Sequence, residues 1–460
     1  MKTAADRKVY ENSSGPYKPR EGSCGTKLDG KVKHMIELKE LEEPVLLAGV
    51  ALSDYDDTDQ SLDELEELAS TAGALVVGRV IQNRERVHPG TYLGKGKLEE
   101  LKELAAQLGA VGVICDDELS PAQLRNMEDA LGLKVMDRTL VILDIFAARA
   151  RTREGKLQVE LAQLKYRATR LVGLRSSLSR LGGGIGTRGP GEKKLEADRR
   201  LIHERIGQLK AELRDVERHR EVTRQQREKN HIPVAAIVGY TNAGKSTLLN
   251  RLTGADVPEE DKLFATLDPT TRSLALSGKE EVLLTDTVGF IRKLPHHLIE
   301  AFGSTLEEAK YADIIIHVVD CSNPQMELQM HVVYETLSRL GVTDQPVITV
   351  FNKADLLRER VSDASAGKGA SGQSGIFKDF KAECTLMVSA KTGEGLEALR
   401  EAVSRILQDG KVYLEKLFPY DQAGKLQIIR RHGTLLSEEY TEDGIAVEAY
   451  VPAEVYGGLL

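Results

Sequence analysis

The chain has 460 residues, of which 41% are hydrophobic, a length that suits about three domains of ordinary size. No apolar run approaches the roughly 18 residues of a membrane helix, and the polar N-terminus lacks the apolar segment of a signal peptide. The net charge is −8, and the four cysteines are scattered without metal-binding spacing. We therefore expect a cytoplasmic protein without a membrane segment, a disulfide framework or a zinc site.

The N-terminal part of the chain, residues 44–150, alternates between apolar runs and helical stretches and follows a polar segment, 1–43, that is expected to be a flexible tail. The apolar runs include 74–78, 111–115 and 133–136, and the helical stretches are 61–72, 97–108 and 120–131. This alternation predicts a small α/β domain with a mainly parallel sheet. A turn at 90–101 brings Lys95 and Lys97 to a helix N-terminus, where they could hold an anion, although most such turns only cap a helix.

Residues 151–230 carry two apolar repeats on either side of a glycine-rich loop. Apolar residues step by four and three through two series, which are Leu157, Leu161, Leu164, Ala168 and Leu171, and Ile202, Ile206, Leu209, Leu213 and Val216. Such stepping forms the seam of a coiled coil. The segment is therefore predicted to be an antiparallel helical hairpin with the loop at its far end or in a kinked crossover.

This hairpin segment is also the basic part of an acidic chain. From Arg149 to Asn230 there are 22 Lys or Arg and 11 Asp or Glu, a net charge of +11 that leaves −19 for the remaining residues. A basic segment within an acidic protein favours a polyanionic partner such as nucleic acid. The alternative is a solvated helix surface that happens to be rich in arginine.

The loop between the two repeats contains Gly184-Ile185-Gly186-Thr187-Arg188-Gly189, the glycine spacing of a dinucleotide-binding turn. A turn of that kind follows a strand, whereas this one lies between two helical repeats, so the nucleotide interpretation fails. We expect the cations of the loop to contact nucleic-acid phosphates, and they are Arg180, Arg188, Lys193 and Lys194. A plain connector between two helices is the alternative.

The segment 231–408 begins with an apolar strand that leads into a phosphate-binding sequence. Its residues fit the pattern G-x-x-x-x-G-K-[ST] and are Gly239, Tyr240, Thr241, Asn242, Ala243, Gly244, Lys245 and Ser246, with Thr247 opening the helical run that follows. Backbone N–H groups of such a loop wrap phosphate oxygens, and the helix dipole adds a favourable potential. Lys245 would reach the β- and γ-phosphates, and the Ser246 hydroxyl would bind Mg²⁺.

Three further motifs follow, each at the end of an apolar strand. Asp286-Thr287-Val288-Gly289 offers a carboxylate for Mg²⁺ and a glycine amide for the γ-phosphate. Asn352-Lys353-Ala354-Asp355 offers a carboxylate that can accept from both N1–H and the 2-amino group of guanine, a donor pair that adenine lacks. The backbone of Ser389-Ala390-Lys391 can meet the guanine O6. Together the four motifs predict a doubly wound GTPase domain with its ligand at the strand ends.

Two details of this segment concern the hydrolysis of GTP. Thr266, Thr270 and Thr271 each stand where a threonine could complete the coordination of Mg²⁺, and their spacing does not choose among them. Phe290 occupies the place of the glutamine that orients water in Ras-like enzymes, and a phenyl ring cannot do this. Hydrolysis is therefore expected to use another group, a partner or a bound cation, and to be slow in isolation.

Two segments carry little chemical information. Residues 360–377 are rich in Ser, Gly and Ala and are expected to form a mobile insertion. Residues 409–460 are predicted to form a small α+β domain with a strand, a helix and two more strands.

Four segments, GYTNAGKSTLLNRLT, FATLDPTTR, DTVGFIRKLP and GIGTRGPGE, make the chain resemble the HflX family of ribosome-associated GTPases from about residue 45 to 460. The resemblance implies an N-terminal α/β domain, a helical hairpin, a GTPase domain and a small C-terminal domain. It implies binding to the 50S ribosomal subunit and its ribosomal RNA, splitting of stalled 70S ribosomes and GTP hydrolysis that ribosomes stimulate. Some members of the family also bind ATP through the N-terminal region and remodel RNA.

The resemblance also implies roles for individual residues. The FATLD segment is expected near the nucleotide, with Thr266 as the Mg²⁺ threonine, and its residues are Phe264, Ala265, Thr266, Leu267 and Asp268. Asn242 matches an asparagine that potassium-activated relatives use, which suggests a K⁺ site. The implied catalytic set is Lys245, Thr266, Gly289 and Asn242. Lys193 and Lys194 depart from the family, which more often reads GPGETQ at this place.

Three functions compete on the sequence alone. The favoured one is a monomeric, GTP-switched remodeller of ribosomes. A 50S-binding regulator that does not split ribosomes is the second. An ATP-dependent RNA remodeller centred on residues 44–150 is the third, and it lacks a second Walker motif.

Overall fold

The computed structural model describes residues 43–52, 57–178, 190–229, 232–255, 262–276, 281–295, 298, 303–357, 377–409 and 411–459. The tail expected up to residue 42, the loop at 179–189 and the insertion up to residue 376 lie outside these residues. Within the described ranges, no helix combines the length and the apolar character that crossing a bilayer requires.

The N-terminal domain is a four-stranded parallel sheet with the strand order β2-β1-β3-β4. Its elements are β1 Glu43–Ala51, α1 Thr58–Thr71, β2 Ala74–Asn83, α2 Lys95–Leu108, β3 Gly112–Cys115, α3 Pro121–Leu131, β4 Lys134–Asp137 and α4 Arg138–Arg149. The boundaries follow local chemistry, since Ser120 and Gln123 form a capping box at α3 and Gly132 ends that helix in the left-handed conformation. The expected α/β domain is confirmed.

Helix α4 was not predicted from the sequence. It follows β4 without a loop, because the Asp137 side chain accepts a hydrogen bond from Leu140 N at 2.9 Å and so caps the helix. Most of its apolar side chains are buried, among them Ile142 and Phe146. A helix that is apolar on several sides has no clear periodicity, so its sequence does not distinguish it from a strand.

The hairpin consists of α5 Arg153–Leu178 and α6 Pro190–Lys229. The predicted seam is confirmed near its base, where the apolar side chains of both helices pack in one cluster of Leu157, Leu161, Leu164, Ile206, Leu209 and Leu213. Ion pairs fix the direction of the helices: Glu160 meets Arg205, whereas Arg153, nearer the start of α5, meets Glu212. The two helices are therefore antiparallel.

The third domain contains a six-stranded sheet with the order β10-β9-β8-β5-β7-β6. Its strands are β5 Val234–Gly239, β6 Thr270–Ala275, β7 Glu281–Asp286, β8 Ile314–Asp320, β9 Val347–Asn352 and β10 Cys384–Met387. Its helices are α7 Lys245–Thr253, α8 Gly303–Lys310, α9 Met326–Arg339 and α10 Leu396–Gln408. Alternate residues of β5 enter two separate apolar clusters, one on each face. The predicted doubly wound class is confirmed, with β6 added antiparallel at one edge.

The C-terminal domain is a three-stranded antiparallel sheet with the order β11-β13-β12. It comprises β11 Lys411–Phe418, a short 3₁₀ turn at Tyr420–Gln422, α11 Ala423–His432, β12 Thr434–Thr441, β13 Gly444–Pro452 and α12 Ala453–Leu459. The predicted strand, helix and two strands are present. The final helix α12 was not predicted, and its Leu459 side chain is buried against the sheet.

Candidate functional site

The phosphate-binding sequence connects the end of β5 to the start of α7. Gly239 has φ +155°, and a Cβ at this position would lie 2.2 Å from the Val318 carbonyl oxygen. Gly244 has φ +92°, and a Cβ there would lie 2.3 Å from Asn352 Nδ2. Side chains are thus excluded at both positions, and the backbone between them wraps tightly around the N-terminus of α7. This geometry presents N–H groups and the positive end of the helix dipole to an anion.

Lys245 is the buried cation of the loop. Its side chain is 7% exposed, and Nζ donates a hydrogen bond to the Tyr240 carbonyl oxygen at 2.7 Å. Burial lowers the pKa of Lys245 to about 8, and the nearby Asp286 carboxylate opposes that shift only in part. An anionic ligand in contact with Nζ would favour the protonated form again.

Three oxygen-bearing side chains meet beside Lys245. Ser246 Oγ lies 2.8 Å from Thr266 Oγ1 and donates a hydrogen bond to Asp286 Oδ2 at 2.7 Å. Burial raises the pKa of Asp286, although the Lys245 charge acts in the opposite direction. Among the described residues no hydrogen-bond donor contacts the buried Asp286 Oδ1. Hydroxyl and carboxylate oxygens at this spacing, with an acceptor left over, fit a Mg²⁺ ion that completes its shell with phosphate and water.

The three candidate threonines occupy different places. Thr266 lies at the Ser246 hydroxyl, whereas Thr270 and Thr271 belong to β6. The Thr271 hydroxyl lies 2.9 Å from the Thr285 hydroxyl on β7. Geometry therefore favours Thr266 over Thr271 as the residue that could meet a metal bound at Ser246.

The two base-recognition motifs are joined to the phosphate loop by Asn352. Its Nδ2 donates to the Ala243 carbonyl oxygen at 2.8 Å, and its Oδ1 accepts from Ala390 N at 2.9 Å. Ser389 Oγ donates to Asp355 Oδ1 at 2.7 Å, which orients the carboxylate. The side chain of Lys353 forms an ion pair with Asp320 at 2.8 Å. The arrangement fixes the Asp355 carboxylate next to the loop that begins at Ser389.

A cavity of about 330 Å³ lies between these groups. Its lining residues are Thr241, Asn242, Gly244, Lys245, Ser246, Thr247, Lys262, Phe264, Ala265, Thr266, Thr287, Gly289, Lys353 and Lys391. Thirteen of these belong to the predicted site residues. The remaining one, Lys262, was missed, because a lysine in a loop outside any motif carries no distinguishing signal.

The other predicted residues lie around the cavity without lining it. Tyr240, Leu267 and Val288 are buried in the apolar cluster that the third domain shares with the N-terminal domain. Asp286 lies behind Ser246, and Asp268 accepts hydrogen bonds from Arg151 N and from the backbone N–H and hydroxyl of Thr152, just before α5. Phe290 is 1% exposed and packs in the same apolar cluster, while its backbone bonds Gly239 and Thr241.

A buried polar network connects the segment after Gly289 to the N-terminal domain. The Tyr240 hydroxyl donates to Glu64 Oε2 at 2.7 Å and accepts from Arg292 N at 2.9 Å. The Arg138 guanidinium, 1% exposed, pairs with both Glu64 and Asp116. Burial raises the pKa of Glu64, an effect that the Arg138 charge counters only in part.

Lys293 adds a second connection, since its ammonium group pairs with Asp116 and Asp117. Burial disfavours the charged form of Asp116, but the charges of Arg138 and Lys293 outweigh it and lower the pKa of that carboxyl. Arg292 likewise pairs with Asp57. The segment that follows the γ-phosphate motif is thus bonded to the N-terminal domain.

The predicted RNA contacts are not resolved at the level of side chains. Arg180 and Arg188 lie outside the described residues. Lys193 and Lys194 belong to the first turns of α6, for which the structure describes the backbone alone. Across the described ranges, no group of three His, Cys, Asp or Glu side chains forms a metal cluster.

Comparisons with known proteins cover most of the chain. Family descriptions match in order along it: GTP-binding GTPase N-terminal at residues 59–147, GTP-binding GTPase Middle Region at 149–227, and 50S ribosome-binding GTPase at 234–353. A solved GTP-binding protein from Sulfolobus solfataricus in complex with GDP is 24% identical, with a TM-score of 0.41, over 80% of this chain and 99% of that chain.

Two relatives are much more similar in sequence. The GTPase HflX of Lacrimispora saccharolytica is 68% identical over 92% of this chain and 97% of its own length. The GTPase HflX of Caldanaerobacter subterraneus is 52% identical over 92% of this chain and 94% of its own length. Residues 234–353 match the 50S ribosome-binding GTPase description, and the chain as a whole therefore belongs to the HflX family of GTPases.

Proposed function

We propose that this GTPase binds the large ribosomal subunit in its GTP form and splits or remodels stalled 70S ribosomes. The observation that supports this function most directly is the hydrogen bonding of the Thr266 segment, through Asp268, to the start of the basic hairpin. A nucleotide that orders the segment at Thr266 would thereby fix the hairpin, the part of the chain suited to RNA phosphates. GTP hydrolysis would then release the hairpin.

Within the nucleotide site each residue has a proposed role. Lys245 binds the β- and γ-phosphates, and the amide of Gly289 contacts the γ-phosphate. Ser246 and Thr266 would hold Mg²⁺, and the Asp286 carboxylate beside Ser246 would add negative charge to the site. Mg²⁺ supplies neutralisation of the phosphate charge. Asp355 and the Ser389–Lys391 backbone select guanine.

Phe290 cannot orient water, because its side chain is buried in the apolar cluster. We propose that a potassium ion at Asn242 takes part in hydrolysis. Asn242 lines the cavity, and its φ of +59° is a left-handed conformation that asparagine adopts more readily than most residues. The test compares GTP turnover in KCl and NaCl at equal ionic strength, and equal rates would reject the role of potassium.

Sedimentation of 70S ribosomes tests the splitting function. With excess protein and GTP we expect the 70S peak to decrease and free subunits to appear, whereas Lys245→Ala protein should leave the 70S peak intact. Co-sedimentation with 50S subunits without dissociation would instead support a regulatory GTPase that binds and does not split. RNA unwinding that needs ATP and survives Lys245→Ala would support the remodelling function of the N-terminal domain.

Stimulation of GTP hydrolysis by the ribosome is tested separately, by measuring GTP turnover. GTP turnover with purified 50S subunits should exceed turnover without them at least tenfold, which corresponds to about 1.4 kcal/mol of activation free energy. We also propose that the protein acts in the cytoplasm as a monomer. A sedimentation-equilibrium mass of one chain would support the monomer, and a mass of two chains would reject it.

A further inference from the structure

The carboxylate of Asp268 connects the segment that carries Thr266 to the root of the hairpin. Asp268 Oδ2 accepts hydrogen bonds from Arg151 N at 2.8 Å and Thr152 N at 2.9 Å, and Oδ1 accepts from Thr152 Oγ1 at 2.5 Å. Asp268 follows Thr266 by two residues, and the described residues that line the cavity do not include it. Its hydrogen bonds therefore serve the hairpin and not the nucleotide.

The start of α5 has room and hydrogen-bond donors for this carboxylate. Thr152 Oγ1 also accepts from Gly155 N at 3.0 Å, which makes Thr152 the N-cap of α5. Gly155 is buried, and a Cβ at this position would lie 2.3 Å from Asp268 Oδ1. Only glycine allows the carboxylate to approach α5 this closely.

The remainder of the segment is packed against the same junction. The ring of Phe264 meets the ring of Phe146 on α4 edge-on, with centroids 4.7 Å apart. Phe264 has φ +55°, a conformation that is costly for a phenylalanine and persists only where its surroundings hold it. Leu267 is 2% exposed. Both sides of Thr266 are thus anchored where α4 meets α5.

We propose that Asp268 is a positioning residue for GTP hydrolysis, which holds Thr266 beside Ser246 only while the root of the hairpin is in place. The inference rests on the proposed role of Thr266 as a Mg²⁺ ligand. Because coupling between two sites is reciprocal, metal binding at Thr266 stabilises the hairpin in this position, and displacement of the hairpin withdraws Thr266 from the metal.

Gly155→Ala tests the proposal without changing Asp268 itself. The added methyl group displaces the carboxylate, while alanine favours helix over glycine and so does not weaken α5. We expect the Mg²⁺ half-point, measured both for binding of a non-hydrolysable GTP analogue and for ribosome-free GTP hydrolysis, to rise at least fivefold in Gly155→Ala. Asp268→Ala should show the same rise, and the double variant should show no further rise because both changes break one contact.

Gly207→Ala is the matched control. It adds the same methyl group to the other helix of the hairpin, where a Cβ would meet nothing within 4 Å, so the Mg²⁺ half-point should stay at the wild-type value. Equal half-points in Gly155→Ala and Gly207→Ala would overturn the proposal. So would a Gly155→Ala protein with a lowered Tm and an unchanged Mg²⁺ half-point, because that result describes a purely structural role.

Two more variants keep the test decisive. If Gly155→Ala fails to fold, Asp268→Asn replaces it, since the amide keeps the side-chain shape but loses one acceptor oxygen. Thr266→Ala separates the metal-binding role of Thr266 from its coupling to the hairpin. An unchanged Mg²⁺ half-point in Thr266→Ala would refute its metal role, whereas a raised half-point there with wild-type values in Gly155→Ala and Asp268→Ala would refute the coupling alone.

Discussion

Lys245 gives the nucleotide-free protein a characteristic dependence on pH. Its pKa is about 8 in the folded chain, because of burial, and about 10.4 in an unfolded chain. As the pH rises from about 8 to about 10, the folded state loses this proton while the unfolded state keeps it. The free energy of unfolding should therefore increase over this range, by up to about 3 kcal/mol.

The measurement is denaturant unfolding of wild-type and Lys245→Met proteins without nucleotide at several pH values. The wild-type curve should rise relative to that of the variant between about pH 8 and pH 10, and saturating GTP should abolish the difference. Parallel curves for the two proteins would show that Lys245 stays protonated in the folded state.

The helices of the hairpin depend on a short apolar seam at their base. Leu209 is fully buried between Leu157 and Leu161, so Leu209→Ala should lower the free energy of unfolding by about 2–5 kcal/mol. A loosened hairpin should also bind 50S subunits more weakly in co-sedimentation, whereas the affinity for GTP should stay unchanged. Leu201→Ala on the same helix is the control, because Leu201 is 63% exposed. Equal free energies of unfolding for the two variants would contradict the stabilising role of the seam.

Several elements could be predicted from the sequence, and the two that could not share a physical reason. The alternation of apolar runs and helical stretches marked the N-terminal domain, and the 4-3 stepping marked the hairpin. Helix α4 is apolar around most of its circumference, and α12 has only seven residues. Neither length nor periodicity then separates a helix from a strand or a loop.

At the scale of the whole molecule, the N-terminal and nucleotide domains share one apolar cluster, with Leu62 and Ile315 among its members. Across this cluster the Tyr240 hydroxyl bridges Glu64 and the backbone of Arg292. Tyr240→Phe keeps the ring and leaves both partners without that hydroxyl, at a cost on the order of 1–3 kcal/mol. We expect the calorimetric transition of the two domains to broaden or split as their contact weakens.

The control for this variant is Tyr413→Phe, which removes a hydroxyl from a half-exposed ring in the C-terminal domain. Its calorimetric trace should match that of the wild type. A Tyr240→Phe trace that also matches the wild type would mean that the apolar cluster alone couples the two domains.

Most residues that line the cavity could be named from the sequence because they lie in contiguous motifs. The contacts between domains could not be predicted, because Asp268 and Thr152 are more than a hundred positions apart. The local sequence around either residue does not indicate that it pairs with the other. The role expected of Asp268 from the family segment was proximity to the nucleotide, whereas its carboxylate bonds the start of α5. Side-chain pairing across domains is a property of packing, which local patterns do not encode.

Helix α6 has 40 residues and is therefore about 60 Å long at about 1.5 Å per residue. Its C-terminal part is fastened to the nucleotide domain, where the Arg224 guanidinium lies 3.4 Å from the centroid of the Tyr311 ring and Arg227 pairs with Glu308 at 3.9 Å. The helix is therefore attached to the nucleotide domain near its C-terminus, and its N-terminal end lies far from that attachment point. A tilt of about 5° at the attachment point moves the N-terminal end of α6 by about 5 Å, roughly the length of one helical turn.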